Sequence, residues 1–224
     1  MEDAVLFHSF YSEDKLPEVI TGEYDYQSQK TGAANYLVYD PSFDHNRFIE
    51  LFLGALGSVT PQVFDIKIHF QRPRPWTAAA LLNVEGFRWV TADRFTHTGL
   101  HPSFLSGHCV QGILGGCNVL DNLLASGELN DARKRAIQKY MVDWGDRRVF
   151  AGVHYMTDNI GSWALARRLI PHIFQNAAGV EAIAVEAITQ HSQVFSDIVE
   201  HFSLSSPARA MLLEQFPEGV PSIT

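Results

Sequence analysis

The 224-residue chain is 46% hydrophobic and 19% charged, with a formal net charge of -8. This is a globular composition, and the length suits one large domain or two small ones at roughly 100–200 residues each. The acidic balance argues against a nucleic-acid partner, although a locally cationic pocket would still bind anions, because only nearby charges escape screening.

The first forty residues are irregular and rich in Gly, Thr, Asp and aromatics. Met1 to His8 carries two acids where a secretory signal carries cations, and no apolar segment follows. This predicts a cytoplasmic protein, or a periplasmic or secreted one if a signal peptide has been trimmed. Helical spacing begins at about Asn46 to Leu56, with Phe48, Leu51 and Phe52, and recurs around Lys67 with Val63, Ile66 and Phe70. The segment from Trp76 to Pro102 reads as irregular, a lid or pocket wall. Trp76, Phe87, Trp89, Phe95 and Phe104 divide between that wall and the core.

An apolar run from Ser106 to Leu124 follows, capped by Ser103 or Ser106. Cys109 and Cys117 lie eight apart in it, about 12 Å along a helix and too far for a disulfide. They read as packing residues in a reducing compartment. After the Ser126-Gly127 break, Asp131 to Val149 forms a charged amphipathic helix in which Asp146 and Arg147 read as surface ion-pair residues. Tyr155 to Phe174 makes another helix. Glu181 to Phe202 makes one more, whose apolar face could serve a homo-oligomer. No stretch reaches the ~18 apolar residues of a membrane span. These elements predict an all-α bundle, a single domain over residues 1–224 with an anion-binding core at about 60–175.

Three separated segments carry the chemistry. The first is Lys67 with Arg74-Pro75, the second Ser106-Gly107-His108, and the third Arg148, His154 and Asp158. Lys67, Arg74 and Arg148 are cations suited to sharing the charge of a tetrahedral oxyanion, and the planar fork of Arg matches two oxygens at once. Ser106 offers a hydroxyl, and Gly107 lets its amide approach closely. His154 and Asp158 are four apart, so on a helix the carboxylate accepts one ring N–H and leaves the other nitrogen free for attack. His108 is the candidate that protonates a leaving alkoxide and then activates water. His69, His97, His101 and His172 fit no standard ligand spacing, so no metal site is expected. A serine hydrolase is disfavoured because no G-x-S-x-G elbow occurs.

The spacing K-x6-RP, then SGH, then R-x5-H-x3-D resembles the signature of the phosphatidic-acid-phosphatase type 2 and vanadium haloperoxidase superfamily. The resemblance spans residues 67 to 158. Leu105 stands where that family has Pro, and Arg147 where it has Ser. The resemblance implies the helical bundle of the acid phosphatases and vanadium haloperoxidases. It also implies phosphate-monoester hydrolysis through a phosphohistidine on His154, without a metal or other cofactor. The same cage holds vanadate in haloperoxidases, where the residue matching His154 bonds vanadium and the partners are halide and peroxide. His101 resembles the extra pocket histidine of bromoperoxidases. Arg72, two before Arg74, and Trp76 after Pro75 resemble the soluble acid phosphatases, which favours the phosphatase. A family member that binds anions without catalysis is a further alternative, through Leu105 and Arg147. His101 and Trp76 complete the candidate pocket.

Overall fold

Apolar residues recurring every three or four positions become helices wherever the chain is described. The computed structural model describes residues 42, 44–54, 56–85, 101–150, 152–202 and 206–219, and among these every regular element is helical. The protein is all-α, as expected. The first forty residues, together with Phe87, Trp89, Phe95 and His97, lie outside the described residues.

Helix α1 (His45–Gly54) starts behind Asp44, whose carboxylate accepts the amides of Asn46 and Arg47 at 2.9 and 3.2 Å. Helix α2 (Leu56–Phe70) follows and ends in a sharp turn at Gln71, which has a φ of 45°. Helix α3 (Pro75–Leu81) corrects the reading of residues 76–102 as irregular. Pro75 sits in its first turn, where a fixed φ favours helix and no amide is missed. Helix α4 (Gly107–Ser126) is capped by Ser106, whose hydroxyl accepts the Cys109 amide at 3.3 Å. It stops at Gly127, where a φ of 70° suits a residue without a side chain.

Helices α5 (Asp131–Phe150) and α6 (Met156–Ile173) form the next hairpin. The predicted helix over 181–202 is two helices, α7 (Ala177–His191) and α8 (Gln193–His201). The break falls at Ser192, whose hydroxyl turns to accept the Phe195 amide at 3.1 Å and restarts the helix. Helix α9 (Pro207–Gln215) and a 3-10 turn (Pro217–Gly219) complete the described chain.

Helix α4 is the axis of the bundle. It packs on α5 over the largest contact and also meets α1, α2, α6 and α7. Three glycines set the closeness of α4 and α5. A Cβ at Gly112 would come 2.6 Å from the Met141 carbonyl, and at Gly116 2.6 Å from Met141 Cβ. One at Gly145 would come 2.7 Å from Cys109 Sγ. Phe48, Phe52, Tyr140 and Trp144 pack ring to ring at 5.0–5.9 Å and hold α1 over the hairpin. Cys109 and Cys117 are buried free thiols.

Asp146 is not a surface residue. It is 1% exposed and accepts from Ser192 Oγ (2.8 Å), Asn159 Nδ2 (3.2 Å) and the Val194 amide (3.3 Å). It therefore ties the end of α5 to α6 and to the start of α8. Among the described residues no single helix is long and apolar enough to cross a membrane.

Candidate active site

Lys67, Arg74, His101, Gly107, His108, Arg148 and His154 line one cleft, with Thr60, Val63, Phe64 and Gln111 completing its wall. The cleft holds about 110 Å³. That falls short of the roughly 300–1,000 Å³ that takes a drug-sized ligand. A cleft of this size suits a small oxyanion.

Lys67, in the last turn of α2, reaches the loop before α4, and the turn at Gln71 redirects the chain so that Arg72 and Arg74 reach the start of α6 and the loop before it. Lys67 is 1% exposed and donates to the carbonyls of Pro102 (2.8 Å), Ser103 (2.9 Å) and Leu105. The expectation gave Lys67 to the anion alone. Here its ammonium also fastens the loop that leads into α4. Ser103 is not the cap of that helix; its hydroxyl donates to the Pro73 carbonyl at 3.2 Å.

Arg74 joins the other two segments. Its Nε donates to the His101 carbonyl at 2.9 Å and its Nη1 to the Val153 carbonyl at 2.6 Å. Nη1 also lies 2.9 Å from His154 Nε2, and Nη2 lies 3.1 Å from His101 Nδ1. His154 Nε2 must be an acceptor there, because a guanidinium has only donors, whereas His101 Nδ1 lies between that donor and the Pro102 carbonyl at 3.3 Å. Arg148 is 0% exposed. Its carbonyl accepts the amides of Val153 (3.1 Å) and His154 (3.2 Å) and so fixes the turn between α5 and α6.

His154 precedes α6 rather than lying on it, so the His154–Asp158 contact does not come from a shared helical face. Asp158, in the first turn of α6, folds back to accept the Tyr155 amide at 3.1 Å. The same oxygen, Oδ2, accepts His154 Nδ1–H at 3.0 Å. The other oxygen takes Arg72 Nη1 at 2.7 Å. His154 therefore has its proton on Nδ1 and its lone pair, on Nε2, towards the cations.

Burial first, then the charges of Arg74, Lys67, Arg148 and His108, pushes His154 well below the usual histidine range. His108 is lowered by burial, then by Arg148, Arg147, Arg74 and Lys67. Burial first, and neighbouring cations with it, lower His101 to about 4, Lys67 to about 7 and Arg74 to about 10, against the Pro102 carbonyl at His101 and the Asp158 charge at Lys67 and Arg74. This mutual repulsion is what an oxyanion in the cleft would relieve, since opposite charge restores the charged forms. Asp158 is the carboxylate that meets these cations. Burial raises its pKa while Arg72 lowers it.

Not every predicted residue reaches the cleft wall. Ser106 is fully buried and caps α4, leaving Gly107 and His108 to face the cleft. Trp76 lies under Arg74, with the guanidinium carbon 5.9 Å from its ring, outside the lining. Leu105 is 3% exposed and faces Gly161, where a Cβ would meet its Cδ2 at 2.8 Å. Arg147 lies over the Trp144 ring at 4.8 Å, and His108 stacks on that ring with centroids 6.2 Å apart. Gln111 and Thr60 were not foreseen as cleft residues; Gln111 Nε2 donates to Thr60 Oγ1 at 3.5 Å. Gln111 stands one helical turn beyond His108, a spacing that would have pointed to it.

No family model, curated protein or solved structure matches the chain.

Proposed function

We propose that the protein is a phosphatase that hydrolyses phosphate monoesters through a phosphohistidine, with the bundle of the acid phosphatase and vanadium haloperoxidase type. The observation that supports this most is the state of His154. Its Nδ1–H is held by a buried carboxylate, and its Nε2 lone pair faces a cleft ringed by Lys67, Arg74 and Arg148, with His108 in the same wall. That is the arrangement of an oriented nucleophile beside charge stabilisers and an acid–base group.

A phosphoryl oxygen that accepts from Arg74 takes over the donor now aimed at Nε2 and frees its lone pair. Nε2 then attacks phosphorus as the ester P–O bond breaks, and the leaving oxygen takes a proton from the His108 imidazolium. The dianionic ester supplies the opposite charge that lets His108 hold that proton. In the second step a water gives a proton to His108 while its oxygen attacks phosphorus. The N–P bond breaks, and inorganic phosphate leaves with His154 neutral. The cations meet charge as it develops on the equatorial oxygens.

The test is hydrolysis of p-nitrophenyl phosphate over pH 4–8 with and without vanadate. Turnover that vanadate inhibits supports the proposal. Phosphate binding without turnover of any ester would replace it with the inactive anion-binding reading.

One observation favours a second reading. His101 lines the cleft and holds Arg74 Nη2, where a vanadium haloperoxidase would use an extra histidine. Three cations and the His154 Nε2 lone pair fit vanadate as they fit phosphate. Bound there, vanadate would supply peroxide-driven oxidation of halide. Bromide-dependent halogenation of a dye, seen only after vanadate loading, would establish this reading over the first.

A further inference from the structure

Arg72 lies outside the cleft lining, yet its contacts bind together all three segments that make the cleft. Its backbone carbonyl accepts the Ser103 amide at 2.9 Å, which ties the α2–α3 turn to the loop before α4. Its side chain crosses to the start of α6. There Nη1 donates to Thr157 Oγ1 at 2.6 Å and to Asp158 Oδ1 at 2.7 Å. The guanidinium lies flat over the Tyr155 ring, 3.9 Å from its centroid. Tyr155, Thr157 and Asp158 are three of the four residues directly after His154.

We propose that Arg72 is a positioning residue, which fixes the Asp158 carboxylate and through it the orientation of the His154 ring. An ordinary ion pair would leave its acid in water, where such contacts matter little. Asp158 is 0% exposed, so its two oxygens must divide their donors between fixed partners. With Arg72 on Oδ1, the other oxygen is left to the Tyr155 amide and to His154 Nδ1. Without Arg72 the carboxylate can rotate to satisfy both oxygens from one side, and the ring loses its single orientation. A guanidinium suits the post because it offers a donor to a hydroxyl and a carboxylate while its face rests on an aromatic ring.

The kinetic part of the test rests on the phosphatase reading, and the spectroscopic part does not. Arg72→Gln, Arg72→Lys, Asp158→Asn and the double variant Arg72→Gln/Asp158→Asn would be assayed on p-nitrophenyl phosphate. Thermal melts would confirm folding. Arg72→Gln is expected to lower kcat by about 10²-fold, as misplacement of a reacting group does, with Arg72→Lys recovering part of the loss. In the Asp158→Asn background the same change is expected to lower kcat less than threefold, since both act through one carboxylate. An equal loss in both backgrounds would overturn the proposal.

If the wild-type protein hydrolyses nothing, the phosphatase reading fails and the NMR signal of the His154 Nδ1–H decides alone. Loss or an upfield shift of that signal in Arg72→Gln supports positioning, and an unchanged signal overturns it. Should Arg72→Gln not fold, Arg72→Lys carries the same cycle and the same spectrum.

Discussion

Asp146→Asn is expected to make the protein more stable at alkaline pH, against the usual penalty for altering a buried polar network. Burial, with Asp143 adding like charge, raises the Asp146 carboxyl from its ordinary 3.8 to about 7, although Ser192 and Val194 pull it down. The folded protein thus holds a proton between about pH 4 and 7 that the unfolded chain has released. Its stability falls as pH rises through that window and is flat above it. Some three pH units at 1.36 kcal/mol each set an upper limit of about 4 kcal/mol on this loss.

An asparagine avoids it. Its carbonyl oxygen can accept from Ser192 Oγ and the Val194 amide as Asp146 Oδ2 does now. Its amide would replace Asp146 Oδ1, to which Asn159 Nδ2 now donates, and Asn159 can turn its side-chain amide over to present Oδ1, an atom buried without a partner among the described residues. Weaker neutral hydrogen bonds offset part of the gain. The net expectation at pH 8 is about 1–3 kcal/mol, or roughly 3–10 °C in Tm at this chain length. Thermal melts of both proteins at pH 4 and pH 8 measure it. The difference between them should be large at pH 8 and near zero or reversed at pH 4. A variant less stable at pH 8 would refute the reasoning, because it would mean that the ionised Asp146 gains more from its partners in holding α8 than burial of its charge costs.

His154→Ala should reduce hydrolysis of p-nitrophenyl phosphate to background, whereas Asp158→Asn, which keeps the nucleophile, should cost about 10²-fold; undiminished turnover by His154→Ala would remove the proposed mechanism. Because burial and four charged neighbours depress His154, its nucleophilic form persists below the ordinary histidine range. His108 must carry a proton to act as acid, so kcat should be higher at pH 5 than at pH 8, and a profile rising towards alkaline pH would contradict the assigned roles. Lys67→Met should lower Tm as well as activity, since it strands the buried carbonyls of Ser103 and Leu105 at about 1–3 kcal/mol for each unsatisfied group. A stable but inactive Lys67→Met, followed by thermal melts and vanadate titration, would instead limit Lys67 to anion contact.

What the sequence reveals and what it hides divide along a physical line. Helix α4 was legible because both its signals are local, Ser106 before the apolar run and Gly127 after it. The same kind of signal at Pro75 and Ser192 was present and outweighed by composition. Aromatic and Gly-rich surroundings hid a two-turn helix at Pro75, and a continuous apolar period hid the break at Ser192. Charged residues were least legible, because a sequence lists charge and not exposure. Asp143, Asp146, Arg147 and Arg148 look alike in a row, yet Asp146 and Arg148 are buried while Arg147 is only partly so. Spacing does not separate them, since α5 is covered on more than one face by α4, α6, α7 and α8.

Arg72 was hidden in the same way. In the sequence it carries only a resemblance to the soluble acid phosphatases beside Lys67 and Arg74, whereas the turn at Gln71 sends it behind the site to Asp158. A motif names the groups that can meet an anion. It does not name the groups that hold them still, because those contacts join positions 85 or 86 residues apart and leave no period in the sequence. If Arg72 does act through Asp158, the precision of His154 derives from a residue whose type the motif leaves open. A residue in that position cannot then be judged by how well it resembles a phosphate ligand, only by whether it reaches the buried carboxylate.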